Sequence, residues 1–278
     1  MVLPNLPRPF WKLAMDRLSK RERQDRIVTR LNTMVAVRIS DLAEEFDVTT
    51  ETIRRDLDAL AERGLLARTY GGAAMRALTD EPGIAARAQT YVAERERIGL
   101  HAAGLVKPGD VLIIDAGSTT AHLAKVLAPL PIEFKVITNS IGVARIIGQS
   151  DTASVLLCPG DLRLTEEGVF GPETLDFLDR YHANLAFIGA GGFTAKEISD
   201  ADSAGVAVKR KIIERSERVY LLADHTKAGI TQFATICQLG AIDGLITDAR
   251  PDDTLVLAMA EAAVELRIAE LGKAGIAA

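Results

Sequence analysis

The segment DAGSTTAHLAK (115–125) holds the densest chemistry in the chain. An apolar run ends at Asp115, a glycine turn follows, and Ser118, Thr119 and Thr120 open a helical pattern that continues through Leu123 and Leu127. Free backbone N–H groups at a helix start, hydroxyl donors and the helix dipole together favour a phosphate or a carboxylate. The lysine of GxxxxGK[ST] is missing, which argues against a nucleoside-triphosphate loop. Alone, the same residues could be only a strand-to-helix turn with a Ser/Thr cap. Four other apolar runs end alike: FKVIT before Asn139 and Ser140, LAFIG before Ala190-Gly191-Gly192, YLLAD before His225, Thr226, Lys227 and Gly229, and SVLLC before Pro159-Gly160-Asp161. Lys209 lies in the helical pattern VAVKRKIIERS (206–216), after the acidic loop SDADS (199–203). A lysine for phosphate and aspartates for hydroxyls suit a phosphorylated sugar, although each charge taken singly reads as solvated surface.

No catalytic apparatus stands out. His101, His122, His182 and His225 fit no HExxH spacing, and no GxSxG elbow exists. Cys158 and Cys237, 79 residues apart in apolar stretches, support neither a disulfide framework nor a metal site. Neither a catalytic residue, a metal nor a cofactor is expected.

A second chemistry concentrates near the start. Arg17, Lys20, Arg21, Arg23, Arg26 and Arg30 face only Glu22 and Asp25. Net charge is −5, yet residues 1–75 carry 13 Lys and Arg against 11 Asp and Glu, so a basic excess suited to nucleic acid is local. After the basic run, VAVRI (35–39) reads as a short β segment. Ser40 is expected to cap a helix over DLAEEF (41–46), Asp47-Val48 to turn, and Thr49 to cap a second helix, TETIRRDLDALAER (50–63), closed by Gly64. In that helix Ile53, Leu57 and Leu60 share one stripe, while Glu51, Arg55, Asp58 and Glu62 lie opposite and Thr52 and Arg54 flank it. Two helices so joined make a helix-turn-helix candidate, and the N-terminal half of the second is the end that enters a major groove. LLARTY (65–70) and Gly71-Gly72 look like a β wing. The candidate DNA-facing residues are Thr49, Thr50, Glu51, Thr52, Arg54, Arg55, Arg68 and Tyr70. A plainer reading makes Glu51 with Arg55, and Arg54 with Asp58, ordinary i,i+4 pairs.

The elements that must position these residues fall into two parts. Residues 18–74 form the first, 75–90 an alanine-rich linker containing Pro82-Gly83, and 91–270 a region where apolar runs alternate with helical patterns. The runs VLIID, FKVIT, SVLLC, LAFIG, RVYLLAD, FATICQL, GLIT and a terminal VELRIA predict an α/β domain with a largely parallel sheet. Ligands of such sheets sit beyond the carboxyl ends of the strands. The length, 278 residues, allows two domains, and 48% hydrophobic with 26% charged residues excludes a mainly disordered chain. No apolar run is long enough to span a membrane and no secretory signal is visible, so a reducing cytoplasm fits best. Residues before about 15–19 match no pattern, and Met15 is an alternative start.

RERQDRIVTRLN, ISDLAEEFDVTTETIRRDLDALAERGLLARTYGGA, IDAGSTT, VITNS, AFIGAGG, DADSAGVAVKRKIIERS, LADHTKAG and LITD occur in an order that resembles the DeoR family of bacterial transcriptional regulators. The resemblance implies an α/β chain with an N-terminal winged helix-turn-helix domain, spanning about Val37 to Asp56 in its helix pair. The C-terminal α/β domain implied resembles ribose-5-phosphate isomerase and binds a phosphorylated sugar or sugar-derived effector. It also implies an effector loop from Asp115 to Thr120, including Gly117, Ser118 and Thr119. Thr138, Asn139, Ser140, Gly189, Asp200, Lys209, Asp224 and Lys227 surround that loop. Tyr70, Cys158-Pro159-Gly160, Glu197 and Ala204-Gly205 depart from the family pattern. The reading is a repressor of a carbohydrate-metabolism operon, with operator double-stranded DNA and a phosphorylated sugar as partners, as a dimer or higher homo-oligomer away from membranes. The alternatives are a sugar-phosphate isomerase with a fused N-terminal domain, and a sugar-phosphate sensor acting through proteins.

Overall fold

Apolar spacing in the first part predicts one buried stripe per helix, and that stripe is what closes its core. The computed structural model describes residues 18–33, 36–62, 66–74, 81 and 83–270. The chain divides into two compact units, residues 1–76 and 77–278. The first contains α1 (Lys20–Thr33), β1 (Ala36–Arg38), α2 (Ile39–Glu45), α3 (Thr50–Glu62), β2 (Ala67–Thr69) and β3 (Gly72–Ala74). Ile53, Leu57 and Leu60 of α3 are buried against Ile27 and Leu31 of α1 and Leu42 of α2. One charge is buried with them. Asp56 accepts from Arg23 Nε at 2.5 Å and from Gln24 Nε2 at 3.2 Å, so part of the basic run on α1 serves the core.

The wing is a three-stranded antiparallel sheet in the order β1-β3-β2. Its turn needs glycine twice. Gly71 has φ +78°, and a Cβ on Gly72 would lie 2.0 Å from the Val37 carbonyl oxygen. Thr49 Oγ1 accepts from the Thr52 amide at 3.2 Å and caps α3 as expected. Ser40 does not cap α2. The helix begins at Ile39, whose amide donates to the Gly71 carbonyl at 2.9 Å, because burying Ile39 draws that residue into the helix. The Ser40 hydroxyl instead bonds Asp41. The C-terminal end of the second helix at Arg63 and Gly64, residues 1–17 with the alternative start Met15, and part of the expected linker (75–80 and 82) lie outside the described residues.

The second unit begins with Glu81, then α4 (Ile84–Arg87) and α5 (Val92–Ala103). Glu81 and residues 83–90, expected in the linker, belong to this unit: Ile84 is buried, and Glu81 and Arg87 make ion pairs within it. Then come β4 (Val111–Ile114), α6 (Ser118–Leu127), β5 (Phe134–Thr138), α7 (Ile141–Ile147) and β6 (Ala153–Leu157). After β7 (Asp161–Arg163) and β8 (Gly168–Phe170) follow α8 (Pro172–Leu178), β9 (Ala183–Ile188), β10 (Gly192–Phe193) and β11 (Glu197–Asp200). The unit ends with α9 (Ser203–Glu214), β12 (Ser216–Leu222), β13 (Ala234–Gln238), β14 (Gly244–Thr247), α10 (Asp253–Glu261) and β15 (Glu265–Ile268).

Seven strands form an all-parallel sheet in the order β15-β14-β12-β9-β4-β5-β6. Alternation along each strand feeds two cores. Leu112, Ile114, Leu185 and Phe187 face one side, Ile113, Ala186 and Ile188 the other, as a sheet covered on both faces requires. The chain runs outward from β4 through β5 to β6, then restarts at β9 on the opposite side of β4, which makes the gap between the ends of β4 and β9 the topological switch point. A Cβ on Gly99 of α5 would sit 2.8 Å from the backbone at His122 and Leu123, so a glycine there is what lets α5 and α6 approach.

Two expectations fail here. FATICQL does not enter the parallel sheet: β13 pairs antiparallel with β11, which pairs with β10. The acidic segment 199–203 is only partly a loop, since Ser199 and Asp200 end β11 and Asp202 caps α9 through the Ala204 and Gly205 amides. Among the described residues no helix is long and apolar enough to cross a membrane.

Candidate functional site

The turn after β4 and the turn after β9 open one cleft at the switch point. Gly117, Ser118 and Thr119 at the start of α6 line it together with Gly189, Asp200, Lys209 and Lys227. Gly117, rather than a serine or threonine, is the N-cap of α6, so no side chain caps that end. The remaining six expected residues stand behind this wall. The Thr120 hydroxyl donates to the Asp115 and Gly117 carbonyls at 2.8 and 2.9 Å, and the Thr138 hydroxyl donates to the Ile114 carbonyl at 2.6 Å. Asn139 accepts from the Ala116 amide at 3.0 Å and donates to the Val169 carbonyl at 3.3 Å, while Ser140 caps α7. These hydroxyls and this amide shape the loop instead of lining the cleft, because all are committed to backbone groups.

Lys209 is no surface charge. It is 6% exposed, and its Nζ lies 3.0 Å from Asp115 Oδ2 and 3.1 Å from Asp200 Oδ2. Burial alone would lower its pKa, but the two carboxylates outweigh that and raise it, so the ammonium stays charged. Burial raises the pKa of Asp115, against the pull of Lys209. Asp115 Oδ1 is buried without a hydrogen-bond partner. An ammonium has three donors, and two of those on Lys209 go to the aspartates.

Three charged cleft residues were absent from the sequence reading: Glu81, Arg87 and Arg95. Arg95 Nε and Nη2 both donate to Asp224 Oδ2, at 3.1 and 3.0 Å, and Asp224 also accepts from the Thr226 amide. Lys227 Nζ lies 2.7 Å from Glu81 Oε1, Arg87 lies 3.4 Å from Glu81 Oε2, and Arg87 also pairs with Glu166. Burial acts to raise the Glu81 carboxyl, yet Lys227 and Arg87 hold it at about 2. A signal for Arg95 does exist in the sequence: Arg95, Ile98, Gly99 and Ala102 follow i, i+3, i+4, i+7 spacing, so a cation sits on the buried stripe of α5.

On the first unit, α3 turns Glu51, Arg54 and Arg55 to solvent and leaves Thr52 half-buried. Thr49 and Thr50 are exposed at its start. Glu51 pairs with Arg55 at 3.3 Å as expected. Arg54 pairs with Glu51 at 3.7 Å rather than with Asp58, because Asp58 is taken by Arg68 of the wing at 3.1 Å. Arg68 also donates to the Gly72 carbonyl, and Tyr70 is fully exposed at the wing tip. Cys158 and Cys237 are free, and burial pushes their thiols to about 12 and about 11. Among the described residues no cluster of His, Cys, Asp and Glu could hold a metal.

Residues 23–77 match the DeoR-like helix-turn-helix domain and residues 90–249 the DeoR C-terminal sensor domain. An uncharacterized HTH-type transcriptional regulator, YulB, of Bacillus subtilis is 36% identical over 256 residues, 91% of this chain and 98% of its own. The HTH-type transcriptional repressor GlcR of the same species is 34% identical over 224 residues, 80% of this chain and 86% of its own. The glycerol-3-phosphate regulon repressor of Escherichia coli is 29% identical over 252 residues, 90% of this chain and 100% of its own. Ribose 5-phosphate isomerase A from Neisseria gonorrhoeae aligns at TM-score 0.35 and 16% identity, over 48% of this chain and 52% of that one. With a winged helix pair in one unit and a switch-point cleft in the other, each matched by its own family model, the chain belongs to the DeoR family of transcriptional regulators.

Proposed function

We propose that this chain is a repressor of a carbohydrate-metabolism operon that binds operator DNA through α3 and the wing and releases it when a phosphorylated sugar or sugar-derived effector enters the cleft. The observation that carries this reading is the cleft itself. The free amides at the start of α6 and the Ser118 and Thr119 hydroxyls share one wall with Lys209 and Lys227, donors suited to a phosphate, while Asp115 and Asp200 suit hydroxyls. The names of the relatives above, one a glycerol-3-phosphate regulon repressor, support the same ligand class. Thr49, Thr50, Glu51, Thr52, Arg54, Arg55 and Tyr70 form the DNA-reading face, with Arg68 bracing the wing against Asp58. Two copies would set two α3 helices on operator half-sites, and the effector would favour an arrangement with the wrong spacing. The protein acts in the cytoplasm, without a cofactor and without turnover. Turnover of a pentose or hexose phosphate by the purified chain would favour the isomerase reading instead.

Gel-shift binding to the DNA upstream of its own operon tests this, with a panel of sugar phosphates titrated into the complex. At least one should release the DNA. Thr119→Ala should keep operator affinity and need about tenfold more effector, the loss of one hydrogen bond to a charged group. Absence of a shift, or release at unchanged effector concentration in the variant, would overturn the assignment.

A further inference from the structure

Each cation lining the cleft is already paired with a carboxylate among the described residues: Lys209 with Asp115 and Asp200, Arg95 with Asp224, Lys227 with Glu81, and Arg87 with Glu81 and Glu166. An incoming phosphate therefore meets cations that already hold an anion, although Arg87 Nε and the third Lys209 donor are unused. Seating it on those cations competes with a carboxylate, and the carboxylates differ in what holds them. Asp115 follows β4, Asp200 ends β11 and Asp224 caps the turn after β12, and all three are buried in the sheet ends. Displacing Glu166 would free Arg87 alone. Glu81 differs on both counts: its two oxygens hold two cations, Lys227 and Arg87, and it precedes the short α4 rather than ending a strand.

Resting on the reading of this cleft as the effector site, we propose that Glu81 is a tethered anion seated where the effector's phosphate binds, so that effector entry displaces Glu81 and loosens residues 83–90. A phosphate presents the charge that Glu81 supplies, with more acceptor oxygens for Lys227 and Arg87 and for the α6 amides on the same wall. The exchange trades one anion for another and leaves no buried cation unpaired, which keeps its cost low. What remains to hold the segment is Ile84 in its apolar seat, the pair of Arg87 with Glu166, and the Arg87 carbonyl, which accepts from Arg95 Nη1. Glu81 stands seven residues after Ala74, the last residue of the wing strand β3, so the displaced segment is the start of the second unit's described chain.

Full-length protein titrated calorimetrically with inorganic phosphate, the group common to the proposed ligand class, tests this. A competitor that fills the seat in about nine molecules of ten weakens apparent affinity about tenfold, so Glu81→Gln should bind phosphate about tenfold more tightly than wild type. Equal or weaker binding by Glu81→Gln, with Thr119→Ala still weakening it, overturns the tethered-anion proposal and leaves the effector site standing. Phosphate binding to neither wild type nor Glu81→Gln overturns both. Hydrogen exchange on the wild-type protein supplies a readout that needs no variant. Amides of residues 84–90 should exchange faster when phosphate is added, and unchanged protection there overturns the displacement.

Discussion

The solvent face of α3 and the cleft at the switch point both concentrate charge, and they hold it in opposite ways. On α3, Glu51, Arg54 and Arg55 stand in water and pair within one helical turn. In the cleft, Arg95 meets Asp224 from 129 residues away and Lys227 meets Glu81 from 146. Water screens the first set, so each pair contributes little to the fold and its side chains can turn to a partner molecule. Burial makes the second set interdependent, because a carboxylate or cation left alone there has no solvent to receive it. Substitutions on α3 should therefore act on binding, and substitutions in the cleft on folding and ligand together.

The largest effect expected from this contrast is at Lys209. Lys209→Ala leaves Asp115 and Asp200 facing each other in a buried wall and should destabilise the second unit by about 3–5 kcal/mol, measured by urea unfolding at pH 8. Without the cation one carboxyl should keep its proton to higher pH. A group whose folded pKa is raised favours the fold below its unfolded pKa and loses that contribution as pH rises, so the loss should shrink at pH 5. A variant as stable as wild type at pH 8 would break the contrast. An intermediate effect belongs to Arg54, and it should fall on binding alone. Arg54→Ala should cost about 1–3 kcal/mol of operator affinity if it contacts a base, and leave the unfolding curve in place. A shifted midpoint would show that the exposed pair with Glu51 carries structure. The smallest effect is at Glu51 itself: Glu51→Ala should change stability by only about 0.2–0.5 kcal/mol, resolvable by thermal melting of variant and wild type side by side.

Much of this was legible from local pattern. The stripe Ile53, Leu57 and Leu60 gave the buried face of α3, and glycines 71 and 72 marked a turn whose geometry admits little else. Alternating apolar runs located seven strands of the parallel sheet, and the turn chemistry after VLIID pointed to the cleft. Local pattern failed where a partner far along the chain decides. FATICQL looks like any other strand run until β11, nearly forty residues earlier, is placed beside it and takes it into a separate sheet. Thr138, Asn139 and Ser140 have the side chains of a binding loop, but the carbonyls of Ile114 and Val169 and the amides of Ala116 and Val143 claim them.

Helical and strand periods act over a few residues, and on that scale the sequence by itself determined which faces are apolar, where turns fall and that a helix pair precedes an α/β unit. The pairing of charges was decided only by the tertiary structure. A lysine in VAVKRK shares the stripe of Gly205, Val208 and Ile212, but nothing along the chain names its partners until β4, β11 and α9 converge and bring two aspartates within 3.1 Å of it. Glu81 likewise reads as part of a linker until the turn after β12 presents Lys227. Coulomb attraction depends on distance in space and on the exclusion of water, and neither quantity is written in the spacing of residues along a chain.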